Sequence, residues 1–279
     1  SSAKKLNSQL IVSTHSAHIL NSKIHTSNSF DNINYVYEKN NLSHLVNLKD
    51  AHIISSEKNT NETDEEKEKR TKDELNFIKK HIKFKASELF FADAIIFVEG
   101  ITEEVLLSYY LSIHSQLNKK YITIFNINGA HGLVYHHLIK QLGVPTIVVT
   151  DLDIKRTEPR KKKFTQIDSL KFKMTTNQTI ISYNETPLLK NIEIDKFRVN
   201  NLYIAFQYEE IEGYFATSLE ESLILTNYNN DIINTTIKKI KPKIYKSILT
   251  TANDKTKLIQ SSYMLQRKLS DSKSDFANE

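Results

Sequence analysis

Apolar residues fall into two rhythms along this chain. In Ile95-Ile96-Phe97-Val98 and again in Ile147-Val148-Val149 they are continuous, in runs too short for a helix. Such runs predict strands buried on both faces, the pattern of a parallel sheet covered by helices. Residues 121–127 and 202–206 have the same character. Between these strands the rhythm changes to helical spacing. Val105, Leu106, Tyr109 and Tyr110 recur at three and four within residues 102–114, predicting a helix with one face on the sheet, and a second helix is expected over 131–141. Strand, helix, strand, helix, strand implies right-handed crossovers and a doubly wound α/β layer.

Outside this block the patterns are weaker. Residues 1–8 read as the end of a helix and 9–14 as a buried strand. Residues 32–38 and 42–48 alternate as a hairpin joined at Lys39-Asn40-Asn41. From Ser55 to Glu74 apolar residues almost vanish, marking a linker, and Leu75, Ile78 and Ile82 then predict a helix. Residues 155–200 are polar and irregular, with a strand-like piece over 178–182, and are expected to form an insertion beside the sheet. From 216 onward Leu219, Leu223, Leu225, Ile232, Ile233, Ile237 and Ile240 predict helices. The organisation expected is 1–54, a small α/β piece; 55–87, linker and helix; 88–215, the main α/β domain; and 216–279, a helical extension.

Candidate chemistry sits at the strand ends. Glu99 follows the first strand directly, Gly100 turns the chain, and Glu103 lies one turn into the next helix. Asp151 and Asp153 follow the strand ending at Thr150, two residues apart and therefore able to face one point. In open parallel sheets ligands bind beyond the carboxyl ends of the strands. Carboxylates gathered there raise one another's pKa unless a cation neutralises them, and the economical occupant is Mg²⁺ or Mn²⁺. His131, His136 and His137 are expected in surface or capping roles, because oxygen ligands already suit a hard cation.

The formal net charge is +5, and its placement matters more than its size. Lys155, Arg156, Arg160, Lys161, Lys162 and Lys163 against Glu158 carry a net +5 within residues 155–163, directly after the Asp pair. A basic run beside a metal site suits a polyanion, with DNA as the expected partner. Cysteine is absent, which removes disulfides and thiolate metal sites and suits a reducing cytoplasm. No apolar run reaches the ~20 residues of a membrane helix, and no signal-peptide pattern opens the sequence.

Phe97-Val98-Glu99-Gly100 with Glu103, followed by Asp151-Leu152-Asp153, resembles the Toprim fold of topoisomerases, primases and OLD-family nucleases. Leu10-Ile11-Val12-Ser13-Thr14-His15-Ser16 resembles the last core strand and switch histidine of an ABC-type ATPase. An ATPase end running into a Toprim domain is similar to OLD-family nucleases, including the Gabija anti-phage type. The resemblance implies a divalent-metal-dependent DNA endonuclease using two ions, regulated by ATP. The ATP site would lie in a part outside this sequence, since the chain has five glycines and no phosphate-binding G-x-x-x-x-G-K-[ST] loop. It further implies a late metal-binding acid, placed at Glu210 or Glu212. Lys273-Ser274-Asp275-Phe276-Ala277 resembles the K-x-x-F-A element carrying a catalytic lysine. His15 would be a nucleotide-sensing remnant. The implied assembly is a homo-oligomer formed through the ATPase portion, with a helicase-type or other defence partner. Topoisomerase is disfavoured because no DNA-gate domain is visible, and primase because no zinc module is possible. The rival reading is a non-catalytic Toprim-like module that binds nucleic acid or regulates an ATPase.

Overall fold

The computed structural model describes residues 9–27, 30–48, 86–127, 132–157, 164–249 and 254–279, with positions 63, 65, 69 and 73 between them. The chain divides into two compact units, residues 1–92 and 93–279. In the first, helix α1 (Ala17–Ser27) precedes an antiparallel hairpin of β1 (Asn34–Lys39) and β2 (Leu42–Asn47). Asn40 and Asn41 both take positive φ, 54° and 60°, as a two-residue hairpin turn of this kind requires. The strand expected over 9–14 is not formed. That stretch is irregular, and Ile11 is 83% exposed. A continuously apolar strand needs a paired neighbour on each side, and the described residues of this unit place none beside it. Residues 1–8, most of the expected linker and the helix of Leu75, Ile78 and Ile82 lie outside the described residues.

The second unit is built on a five-stranded sheet. Its strands are β3 (Ala94–Val98), β4 (Ile122–Asn126), β5 (Thr146–Val149), β6 (Arg198–Val199) and β7 (Leu202–Ala205), in the order β4-β3-β5-β7-β6. The first four in that order are parallel, and only the short edge strand β6 runs antiparallel. The fold is therefore α/β with a mainly parallel sheet. From β3 the chain moves outward to β4 and then returns across β3 to β5. The point where strand order reverses, the usual ligand crevice, thus lies between β3 and β5.

Two helices cover this crossover, α2 (Ile101–Ile113) and α3 (Gly132–Leu142). Tyr135, Leu138, Ile139 and Leu142 bury one stripe of α3 at helical spacing. Tyr135 stacks on Phe97 at 5.4 Å between ring centroids, and Phe125 meets both rings edge-on. Helix α2 departs from expectation. Tyr109 and Tyr110 stand exposed, while Thr102 and Glu103 are the residues it buries. The helix turns its first turn inward because it packs against a helix from the far end of the chain, described below.

After β5 the insertion holds helix α4 (Gln178–Asn184), where a strand was expected, and a short 3₁₀ turn over Ile194–Phe197. Asn177 caps α4, its Oδ1 accepting from the amides of Thr179 and Ile180 at 2.9 and 3.2 Å. That cap satisfies two free amides of the first turn, and it outweighs the β-preference of Thr179, Ile180 and Ile181. A hairpin of β8 (Glu210–Ile211) and β9 (Tyr214–Phe215) follows β7, turning at Glu212 and Gly213, both at positive φ. The C-terminal part comprises α5 (Leu219–Thr226), α6 (Asp231–Ile240), α7 (Pro242–Ile248), α8 (Thr256–Gln260), α9 (Ser262–Leu269) and α10 (Lys273–Asn278). Ile224, Ile237, Ile248, Leu258, Leu265, Leu269 and Phe276 form a second apolar core that docks α10 onto the rest. Helix α10 is the helix against which α2 packs.

Candidate functional site

Strand register decides which polar groups meet at the sheet's carboxyl edge. Val98 pairs with Val149, so Glu99 and Thr150 follow side by side, and Thr150 Oγ1 donates to Glu99 Oε1. Val149 pairs with Ala205, which carries Gln207 to the level of Asp151. There Gln207 Nε2 donates to Asp151 Oδ1 at 3.1 Å, and the first amide of α5, Leu219 N, donates to the same oxygen at 2.9 Å. Asn177 ties the two loops together. Its buried Nδ2 donates to Thr150 Oγ1 at 2.6 Å and to the Asp151 carbonyl at 2.9 Å, and reaches Glu99 Oε1 at 3.4 Å.

Glu103 enters from α2 and is buried. Gly100 leaves room beside it: a Cβ there would stand 2.8 Å from Glu103 Oε2, and the carboxylate would have to shift. Beside it lies Glu220, on the first turn of α5 and 0% exposed. Glu220 Oε1 accepts from Thr102 Oγ1 at 2.8 Å and from Lys273 Nζ at 2.9 Å. The sequence-predicted lysine is thereby brought, from the far end of the chain, to the acids at the sheet edge.

These groups act on one another electrically. Burial pushes Asp151 well above the ordinary carboxylate range, and the charges of Glu103, Glu220 and Asp153 push it further. Asp153 is raised to about 6 by partial burial and by Glu99, although the residue as a whole is exposed. Glu103 is raised by burial and then by Glu220 and Glu99. Burial also works to raise Glu220, but the hydrogen bond and charge of Lys273, with Thr102, outweigh it and leave its pKa below the ordinary value. Lys273 is raised in return, its partial burial overcome by Glu220.

The donor set suits a hard divalent cation in kind. It offers only oxygens, and Oε2 of both Glu103 and Glu220 is buried without a hydrogen-bond partner among the described residues. As the side chains stand, no three acids or histidines among the described residues close around one point. Enclosing an ion therefore needs side-chain rotation.

Other expected residues fall elsewhere. Glu210 and Glu212 lie exposed on the β8–β9 hairpin. The acid whose charge acts on Asp151 from the later part of the chain is Glu220, a residue not singled out from the sequence. Arg156 is not a surface residue. Its side chain is 3% exposed, stacks on the Tyr263 ring at 3.6 Å and lies 4.0 Å from buried Glu221. Lys155 is exposed, while Arg160, Lys161, Lys162 and Lys163 lie outside the described residues. His15 is exposed in the first unit, its ring 6.5 Å from that of Phe91. His136 is buried and meets the Tyr183 hydroxyl at 3.0 Å, whereas a surface or capping role was expected. His131 lies outside the described residues. Glu220 did carry a signal. Ser218-x-x-Glu221 before an apolar run marks a helix start, and Ser218 is the observed cap of α5.

Residues 90–153 match the family described as overcoming lysogenization defect protein-like, Toprim domain. Over 277 residues the chain is 54% identical to a protein named Endonuclease GajA from Bacillus cereus (strain HuB5-5). That alignment covers 99% of this chain and 39% of the relative, so the chain spans about two fifths of the length of the protein it matches. A solved structure of the C-terminal region of the Xanthomonas campestris pv. campestris OLD protein aligns with 15% identity and a TM-score of 0.38. It covers 68% of this chain and 83% of that one.

Proposed function

We propose that this chain, whose residues 90–153 form an OLD-like Toprim domain, is the cutting part of a longer anti-phage nuclease that hydrolyses DNA phosphodiesters with Mg²⁺ or Mn²⁺. The observation that carries this reading is the buried pair Glu103 and Glu220, with half-buried Lys273 on Glu220, beside Asp151 at the carboxyl edge of the sheet. The relative's name points the same way. Glu99, Glu103 and Asp151 would hold one ion, and Asp153 with Glu220 the other. Ions held there would supply an activated water and would relieve charge on the phosphate. The protein's own groups prepare the site. Gln207 and the Leu219 amide aim Asp151, Thr150 and Asn177 aim Glu99, and Lys273 offers a cation where negative charge develops. Lys155 and Arg160 to Lys163 would take phosphates of the substrate. Residues 1–54 are read as the end of the ATPase portion through which ATP controls cleavage and the chains associate.

The test is incubation with supercoiled plasmid. Nicked or linear product is expected with Mg²⁺ or Mn²⁺, without ATP, and none with EDTA. Intact plasmid under both metals and several DNA substrates would favour the non-catalytic module instead.

A pH prediction follows from Asp153. Its folded pKa of about 6 lies above the ordinary 3.8. The raised value favours the fold fully below pH ~4, and that contribution is lost as pH rises through 6. In EDTA, wild type should therefore lose thermal stability between pH 4 and 6 relative to Asp153→Asn. Divalent metal should narrow the gap. Parallel melting curves for the two proteins across this window would contradict the assignment.

A further inference from the structure

Beyond Asp153 the insertion presents exposed apolar side chains. Ile154 bridges Thr175 in an antiparallel pair, and both are buried. Their neighbours therefore share the opposite, solvent face: Lys155 lies across from Met174, donating its amide to the Met174 carbonyl at 2.7 Å. Met174 in turn bridges Leu188, and both side chains are substantially exposed. Two residues before Met174 stands Phe172, 79% exposed. Lys171 holds its ammonium 5.3 Å from the Phe172 ring centroid, and Lys190 is exposed two residues after Leu188.

Phe172 occupies an improbable place. Lys173 N donates to the Leu170 carbonyl at 3.0 Å, closing a turn in which Phe172 takes φ +60°. That conformation favours glycine and is an outlier for a bulky side chain. The fold gains little from a ring in solvent and bears the strain of holding it there, so its benefit lies in an outside contact.

We propose that Phe172 is a stacking platform for an unpaired base of the DNA strand being cut, with Lys155, Lys171 and Lys190 taking its phosphates and Met174 and Leu188 the sugar and base edges. This rests on the nuclease reading. An aromatic ring interleaved with lysines is the chemistry of single-strand recognition, because every base has a face to stack. The reach is short. Three residues of extended chain and one strand spacing place Phe172 within roughly 15 Å of Ile154, at most about four base steps of a duplex strand. The site thus grips DNA where it is opened or gapped near the scissile bond.

Wild type, Phe172→Gly and Phe172→Trp are compared in EDTA, so that nothing is cleaved, on oligonucleotides with 2-aminopurine at one unpaired position. Wild type should bind and quench the probe. Phe172→Gly should bind roughly tenfold to a hundredfold more weakly and lose the quench, and Phe172→Trp should restore both. The salt slope should stay constant, because the lysines remain. Glycine suits the turn, so Phe172→Gly should melt no lower than wild type. The proposal is overturned if wild type does not bind, if Phe172→Gly binds within twofold of wild type, or if the substitution changes only self-association. A chain that cleaves plasmid yet ignores Phe172→Gly loses the platform and keeps the nuclease. Ring-dependent binding by a chain that never cleaves does the reverse.

Discussion

With Asp151 replaced by alanine, the chain is expected to remain folded and to lose DNA cleavage by on the order of 10³-fold or more. Asp151 holds its proton well above the ordinary range because burial and three neighbouring acids oppose its charge. Removing such a group relieves repulsion, while the Leu219 amide and Gln207 lose one acceptor. The two effects oppose each other, so stability should change by no more than about 1 kcal/mol in either direction. A ligand that binds only the native state raises its melting temperature. Wild type should show that rise with Mn²⁺, and Asp151→Ala should lack it. Cleavage by Asp151→Ala at the wild-type rate would remove Asp151 from the chemistry altogether.

Lys273→Met should be the most destabilising single change at the site. It strands the Glu220 carboxylate, 0% exposed, with Thr102 as its remaining donor among the described residues. Breaking a buried ion pair from one side costs about 3–5 kcal/mol, and the low end applies because the lysine side chain is 30% exposed. Adding Glu220→Gln to Lys273→Met should recover most of that loss, because no buried charge is left unmatched. Cleavage should stay absent in both proteins. Urea midpoints and plasmid assays on the single and double variants read the two effects separately. Equal stability of Lys273→Met and wild type would mean that the pair contributes nothing to the fold.

What the sequence made legible was local. The strands around Phe97 and Val148 announced themselves because continuous apolar runs ended in acids, and the hairpin at Asn40-Asn41 because the residues on either side of it alternate. The sheet's carboxyl edge was legible for the same reason. What stayed hidden depended on partners far along the chain. That Glu220 neighbours Asp151 was not legible, because the β8–β9 hairpin separates β7 from the helix whose first turn bears it. Arg156 looked like part of a basic run facing a polyanion, yet Tyr263, more than a hundred residues on, covers it. Gln207 and Asn177 carried no charge to draw notice, and only strand register or a helix cap shows what they hold. Residues 9–14 have the composition of a core strand, yet a strand is a property of its neighbours as well as its own residues.

Asn177 has a mechanical meaning as well. Its oxygen starts α4 in the insertion, and its nitrogen grips Thr150, the Asp151 backbone and Glu99. A load applied to the insertion therefore reaches both acid-bearing loops through one rigid, neutral amide. Protonation does not slacken such a link, and dissolved ions screen it little. A tilt of α4 would therefore shift the Asp151 backbone and the Glu99 side chain together.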